Sequence, residues 1–322
     1  MKIRHFLSIT DFSAEEIRKV FQISLKLKKE IERKGKNKAI FKGKTMAMIF
    51  EKPSLRTRIS FEIAMTQLGG HAIYLGPNDI QMGKRETSYD VGKVTSSMAD
   101  FIMARTFKHE SIEELASGSS VPVINALSDL EHPCQILADF LTIIEKKGKI
   151  EGLKLAYLGD GKNNVTHSLV LASSLLGGRF FCASPKGYGM KKKVVSLAKK
   201  IAQKTKATIV ETTDPEKAAY QADVLITDTW ISMGNELERK KRLKIFPPYQ
   251  VNQKIMSLSR KDSIFMHCLP AYREKEVSSE VINGFQSVVF EEAENRLHAQ
   301  KGLLVFLFNK GGPSSQKATA GK

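Results

Sequence analysis

The feature that most constrains this chain is a rhythm that runs through it twice: short apolar blocks, each separated from the next by a longer amphipathic stretch. The first series holds Thr45–Phe50, His71–Leu75, Phe101–Arg105 and Val121–Ala126. The second holds Leu153–Leu158, Arg179–Ser184, Ala207–Thr213, Asp223–Asp228, Ile264–Cys268 and Ser287–Phe290. Apolar runs of this length suit strands buried on both faces, and the helical stretches between them suit the crossovers of a parallel sheet. The expectation is α/β, with two doubly wound parallel-sheet domains joined by helices. A chain of 322 residues has room for both.

The punctuation places the boundaries. A capping box, Ser13-x-x-Glu16, opens a first helix whose apolar residues Ile17, Val20, Phe21, Leu25 and Ile31 recur at helical spacing up to Gly35. Pro133 suits a first helical position, and Ile136, Leu137, Phe140, Leu141 and Ile144 extend that helix to Gly148. Domains of 1–148 and 149–291 are therefore predicted. A last helix over 292–310 carries Leu297, Leu303, Leu304, Phe306 and Leu307, too apolar for an isolated surface helix, so it is expected to pack back across the domains. The small, polar tail 311–322 is expected to be disordered.

Composition removes several function classes. Hydrophobic residues at 42% and charged residues at 26% are ordinary for a core-forming soluble protein. No stretch reaches the roughly 18 uninterrupted apolar residues of a membrane span. The opening Met1-Lys2-Ile3-Arg4-His5-Phe6 has no long apolar stretch or small-residue cleavage site behind it, which speaks against a secretory signal. Three cysteines, Cys134, Cys182 and Cys268, do not make a disulfide framework, so a cytoplasmic protein is expected. The formal charge of +17 raises a nucleic-acid reading. However, the basic residues of 26–44, 186–206 and 239–244 mostly fill polar positions of helical patterns and are not interleaved with exposed aromatics.

Five segments carry chemistry. Phe50-Glu51-Lys52-Pro53-Ser54-Leu55-Arg56-Thr57-Arg58 lies between a strand and an amphipathic helix. There, free N–H groups, two hydroxyls and two guanidinium groups make a site for a phosphate dianion, unless Ser54 is an ordinary helix cap beside solvated arginines. Gly159-x-Gly161 begins a dinucleotide fingerprint whose third glycine is replaced by Asn164. His132-Pro133-Cys134-Gln135 opens a helix, and His267-Cys268-Leu269-Pro270 ends a buried strand. Neither has the paired C-x-x-C spacing of a structural zinc site, and Cys268 has no nucleophile elbow. Asp228-Thr229-Trp230-Ile231-Ser232-Met233-Gly234 puts a carboxylate at a strand end before a glycine-hinged loop, either an active-site lid or a surface loop anchored by Trp230.

Together these segments closely resemble the transcarbamoylase family, its ornithine branch in particular, over about residues 1–310. Ser54-Leu55-Arg56-Thr57-Arg58 is similar to the family's Ser-Thr-Arg-Thr-Arg loop, with Leu55 where threonine is commoner, and His132-Pro133-Cys134-Gln135 to its His-Pro-x-Gln. His267-Cys268-Leu269-Pro270 is similar to the ornithine branch's His-Cys-Leu-Pro, and Asp228 with Ser232-Met233-Gly234 to its acceptor loop. The resemblance implies carbamoyl transfer from carbamoyl phosphate to the δ-amine of L-ornithine, giving L-citrulline and phosphate, a step of arginine metabolism. Ser54, Leu55, Arg56 and Thr57 would hold the phosphate, with Arg105 and Arg296 adding charge, and His132, Gln135 and Arg105 would hold the carbamoyl group. Gln81 would reach the phosphate of an adjacent subunit, which implies a homotrimer or a higher assembly of trimers. Asn164 and Asp228, helped by Ser232 and Met233, would grip the α-groups of ornithine, while Cys268 and the Leu269 carbonyl lie near its δ-amine and the carbamoyl group.

Such chemistry needs a neutral amine, donors for a developing oxyanion and charge for departing phosphate, roles that suit Arg56, Arg105, Thr57 and His132. Orientation of two substrates can supply up to ~7–11 kcal/mol. No metal, cofactor, nucleic acid or membrane is therefore expected. Transfer to another amine such as putrescine, an NAD dehydrogenase and an RNA-binding protein are the competing readings.

Overall fold

The computed structural model describes residues 3–232, 234 and 236–311. Its contacts divide the chain into two units: residues up to Ala138 together with those from Glu294 onward, and Asp139–Ala293.

In the first unit, strands β1 (Thr45–Phe50), β2 (His71–Leu75), β3 (Phe101–Arg105) and β4 (Val123–Leu127) form a parallel sheet of order β2-β1-β3-β4. The first three keep the bounds expected from the sequence. The fourth starts at Val123 instead of Val121 because Pro122 has no N–H for the ladder; its carbonyl accepts from Ile102 N at 3.0 Å. Helices α1 (Ala14–Lys34), α2 (Leu55–Gln67), α3 (Pro77–Ile80), α4 (Ser88–Met98) and α5 (His109–Gly118) connect and cover the strands. Phe50 pairs with Arg105, so the chain leaves β1 and β3 at the same edge of the sheet. That register brings the 51–57 loop beside Arg105.

Helix α6 (Pro133–Lys147) begins in the first unit, which ends inside it at Ala138 rather than after residue 148. The helix runs unbroken to Gly148, whose left-handed φ of 75° and N–H to Ile144 O close it. The division therefore follows packing and not chain punctuation.

The second unit holds β5 (Lys154–Leu158), β6 (Arg179–Ala183), β7 (Thr208–Thr212), β8 (Val224–Thr227) and β9 (Ile264–His267), parallel in the order β7-β6-β5-β8-β9. Between them lie α7 (Asn164–Leu176), α8 (Lys192–Thr205), α9 (Pro215–Ala219), α10 (Arg239–Ile245), α11 (Gln253–Leu258) and α12 (Ser279–Ile282). The strand order reverses about β5, so the loops after β5 and β8 diverge at a switch point, where open α/β sheets bind ligands. Thr227 pairs with His267, which makes Asp228 and Cys268 next-door neighbours.

The expected strand at Ser287–Phe290 does not form. Ser287 makes a single bridge to Phe265, and α13 (Val289–Gly311) begins two residues later, not at Glu292. Glu291 and Glu292 in the first turn suit a helix N-terminus, and Glu292 N donates to Val288 O at 2.8 Å. Local β propensity loses to that helical start.

Within the first unit, α13 buries Leu303, Leu304 and Leu307 completely, a contribution of ~1.5–3 kcal/mol each. The Phe306 ring lies 4.9 Å from Phe12. Gly302 is what permits the approach, since a Cβ there would stand 2.6 Å from Val20 O and 3.0 Å from Ser24 N of α1. The tail beyond Gly311, expected to be disordered, lies outside the described residues. Among the described residues no helix is long and apolar enough to cross a membrane.

Candidate active site

Two clusters form at strand ends, one in each unit. In the first, the chain leaves β1 at Phe50 and enters α2 at Leu55, with Ser54 in extended backbone as the cap. Ser54 Oγ accepts from Thr57 N at 3.4 Å and donates to Thr57 Oγ1 at 3.1 Å. Ser54 is therefore the helix cap, a role that does not exclude an anion at the same helix N-terminus. Leu55 is 70% exposed. Arg56 is half-buried, whereas Arg58 points along the helix to Glu62 at 3.1 Å and stacks over Tyr74 at 4.2 Å.

Buried beside this loop are Arg105 at the end of β3, His132 just before α6, Gln135 in its first turn and Arg296 of α13. Arg296 joins them: its Nη1 donates to Gln135 Oε1 at 2.6 Å and its Nη2 to Thr57 Oγ1 at 3.3 Å. Burial holds the His132 imidazole well below its usual range, and the positive charges of Arg296, Arg105, Arg56 and Lys52 push it further down. A neutral ring ringed by cations is therefore the ground state at pH 7. Gln81 ends α3 with an exposed side chain and lines, with Phe50, Glu51, Lys84 and Phe107, a cleft of about 310 Å³.

The second cluster centres on Asp228, which is buried. Its Oδ1 accepts from Thr229 N at 2.7 Å and from Cys268 Sγ at 3.2 Å, and its Oδ2 accepts from Asn163 Nδ2 at 2.5 Å. Asn163 Nδ2 also reaches Ser232 Oγ at 3.3 Å, while Asn163 Oδ1 caps α7 by accepting from Val165 N. Asn164, next along, is half-buried in the first turn of α7. Burial raises the Cys268 thiol well above its usual range, and the charges of Asp228, Glu292 and Asp139 raise it further. Cys268 is thus a thiol that donates to a carboxylate, not a thiolate. Leu269 follows with a left-handed φ of 56°, and Met233 lies outside the described residues.

The family profile for the carbamoyl-phosphate-binding domain of aspartate/ornithine carbamoyltransferases matches residues 4–145, and that for the aspartate/ornithine-binding domain matches residues 151–307. The chain belongs to the aspartate/ornithine carbamoyltransferase family. Among curated relatives, the ornithine carbamoyltransferase of Anoxybacillus flavithermus is 52% identical over 307 residues, covering 95% of this chain and 97% of the relative. That of Methanocaldococcus jannaschii is 50% identical over 95% of this chain and 99% of its own length. The solved ornithine carbamoyltransferase of Pyrococcus furiosus superposes with a TM-score of 0.91 at 48% identity, covering 94% of this chain and 96% of that one.

Within this family frame the alternative readings of the sequence find physical answers. A dinucleotide fingerprint needs open space over its second glycine for a pyrophosphate. Here a Cβ on Gly161 would lie 2.7 Å from Ser184 Oγ, 2.8 Å from Tyr188 O and 2.9 Å from Met190 N, so the space beside this glycine is taken by the protein itself. Asp228, His267 and Cys268 present metal-ligand atoms within 4.8 Å of one another. Two of the three are spent on each other, and His267 Nδ1 accepts from Leu269 N at 2.8 Å.

Sequence reasoning missed two residues. Lys52 is buried and acts on His132; its place just before Pro53-Ser54 was the available signal. Asn163 bonds both Asp228 and Ser232, and its place in Asp160-Gly161-Lys162-Asn163-Asn164 was the available signal.

Proposed function

We propose that this chain transfers the carbamoyl group of carbamoyl phosphate to the δ-amine of L-ornithine, forming L-citrulline and phosphate, with the first cluster as the donor site and the second as the acceptor site. The observation that carries the donor side is the neutral, buried His132 set among Arg296, Arg105, Arg56 and Lys52, beside the N-terminus of α2. Free N–H groups, a helix dipole and convergent guanidinium groups together favour a phosphate dianion. Ser54, Leu55, Arg56 and Thr57 hold the phosphate. Arg105, His132 and Gln135, oriented by Arg296, hold the carbamoyl oxygen and amide, so that donors already point where negative charge develops.

On the acceptor side Asp228 carries the charge that an α-ammonium needs, and Ser232, Met233 and Asn164 complete the grip on the amino acid. Asn163 sets Asp228 and Ser232 at fixed separation. Cys268, protonated, orients the δ-amine together with the Leu269 carbonyl instead of attacking the carbamoyl carbon. The phosphate leaving group takes the proton that the amine releases.

We place the enzyme in the cytoplasm as a homotrimer. Leu55, Ile59 and Ile63 make an exposed apolar stripe along α2 beside the donor site, which a second copy would cover, and Gln81 stands ready to enter that copy's phosphate site. Citrulline formation from the two substrates, with putrescine and aspartate as competing acceptors, tests the assignment. Asp228→Asn should raise the ornithine KM by roughly 10- to 150-fold, the loss of one charged hydrogen bond, while carbamoyl phosphate binding is nearly unchanged. Turnover of putrescine in preference to ornithine would overturn the choice of acceptor.

A further inference from the structure

We propose that Glu276 is a positioning residue for the acceptor amino acid, a single carboxylate that fixes both ends of the loop bearing Cys268 and Leu269. The proposal rests on the acceptor site assigned above. Glu276 is fully buried, although it lies on an irregular connection between β9 and α12, where a hydrophobic side chain would serve if packing were the only need. Its Oε1 accepts from Tyr272 N at 2.6 Å and stands 3.4 Å from His267 Nε2. His267, also fully buried, accepts from Leu269 N at 2.8 Å through Nδ1. A backbone N–H can only donate, so the ring proton sits on Nε2, which is buried, has no hydrogen-bond partner among the described residues and has the Glu276 carboxylate 3.4 Å away.

The chain of contacts is therefore Glu276 to His267 to the Leu269 amide at one end of the loop, and Glu276 to the Tyr272 amide at the other. Glu292 adds a third anchor by accepting from His267 N at 2.9 Å. The loop needs such anchorage. Leu269 holds a left-handed φ of 56°, a conformation a leucine keeps only when its surroundings impose it. The preceding residue, Cys268, is the one bonded to Asp228.

Glu276 also bears on the other acceptor loop. With Thr229, Trp230, Ile231 and Tyr272 it lines a cavity of about 130 Å³, across which it faces the segment that begins at Asp228. Glu276 thus supports the loop bearing Cys268 and Leu269 and reaches the acceptor only through others.

The test compares Glu276→Ala, Glu276→Gln and Asp228→Asn by steady-state kinetics in both substrates, with thermal melting alongside. Glu276→Ala is expected to raise the ornithine KM roughly tenfold or more and to lower kcat, with the carbamoyl phosphate KM within about twofold of the parent. Glu276→Gln, whose amide oxygen still accepts from Tyr272 N and faces His267 Nε2, is expected to restore the ornithine KM to within roughly threefold. A folded Glu276→Ala with an unchanged ornithine KM, an equal rise in both KM values, or no rescue by glutamine overturns the proposal. Should Glu276→Ala not fold, His267→Asn carries the test: its short side chain keeps an acceptor near Leu269 N but cannot face Glu276. The same ornithine-selective rise is expected there, and a parent-like ornithine KM overturns the proposal. An unchanged ornithine KM in Asp228→Asn would instead refute the acceptor site itself, which keeps the two failures apart.

Discussion

Arg296 bonds two side chains through two different nitrogens, and that fork permits a prediction that separates geometry from charge. Nη1 serves Gln135 and Nη2 serves Thr57, at 2.6 and 3.3 Å. Lysine keeps the positive charge beside His132 but ends in a single ammonium that cannot span both acceptors as the planar fork does. A hydrogen bond to a charged group is worth ~1.5–3 kcal/mol, so losing one of the two should lower kcat/KM for carbamoyl phosphate roughly 10- to 150-fold in Arg296→Lys. Arg296→Met, of similar length, loses both bonds and the charge, and should fall at least about another tenfold. The assay is citrulline formation at saturating ornithine with carbamoyl phosphate varied, alongside a melting curve to show that each variant is folded. The ornithine KM should stay within about twofold for both. Equal losses in the two variants would refute the fork argument, and a Met variant within about threefold of the parent would refute the donor site.

Further expectations follow from burial and packing. His132 is held below its ordinary value in the folded protein, so unfolding takes up a proton as pH falls below about 6.5; the stability it contributes is complete above that value and is lost beneath it, by at most ~1.4 kcal/mol per pH unit. Urea melts from pH 8 to 5 should show a shallower acid decline in His132→Asn than in the parent. Cys268, raised by burial and by Asp228, should react slowly with iodoacetamide at pH 8, and Cys268→Ala should retain measurable turnover; isolation of a carbamoylated Cys268 would contradict this. Gly302→Ala gains ~1 kcal/mol of helix propensity but forces a methyl against the α1 backbone, at ~1–3 kcal/mol. A net loss of melting temperature is expected, and a gain would mean that α1 can shift.

Much of this architecture is legible in the sequence because its signals are local. β1, β2 and β3 are apolar blocks with polar punctuation, and the bounds read from them are those observed. Val121-Pro122 looks like the start of a strand only until proline's missing N–H is counted. Val288-Val289-Phe290 has strong β propensity, yet the acidic turn that follows makes it the start of a helix. The site shows the same division. Ser54 to Thr57, His132 to Gln135 and Asp228 to Ser232 are contiguous motifs, and each stands at a strand end or helix start. What the sequence could not disclose is which side chains meet: the Arg296 fork on Thr57 and Gln135, the cationic pressure of Lys52 on His132, and the bond from Asn163 to Asp228 all depend on chain segments far apart in number.

The contact of Gly161 with residues 188–190 bears on how this sheet could be re-engineered. In a doubly wound domain the glycine turn after the first strand is ordinarily the natural berth for a nucleotide cofactor. Here the space a Cβ on Gly161 would need is taken by Ser184 Oγ and by the main chain at Tyr188 and Met190, so trimming the Ser184 side chain alone would not open it. Grafting cofactor specificity onto this scaffold by restoring a third glycine at position 164 should therefore fail. The shortest route is to shorten or reroute the segment around Tyr188–Met190, which exchanges a filled pocket for a new one and leaves the ends of β8 and β9 to their present use.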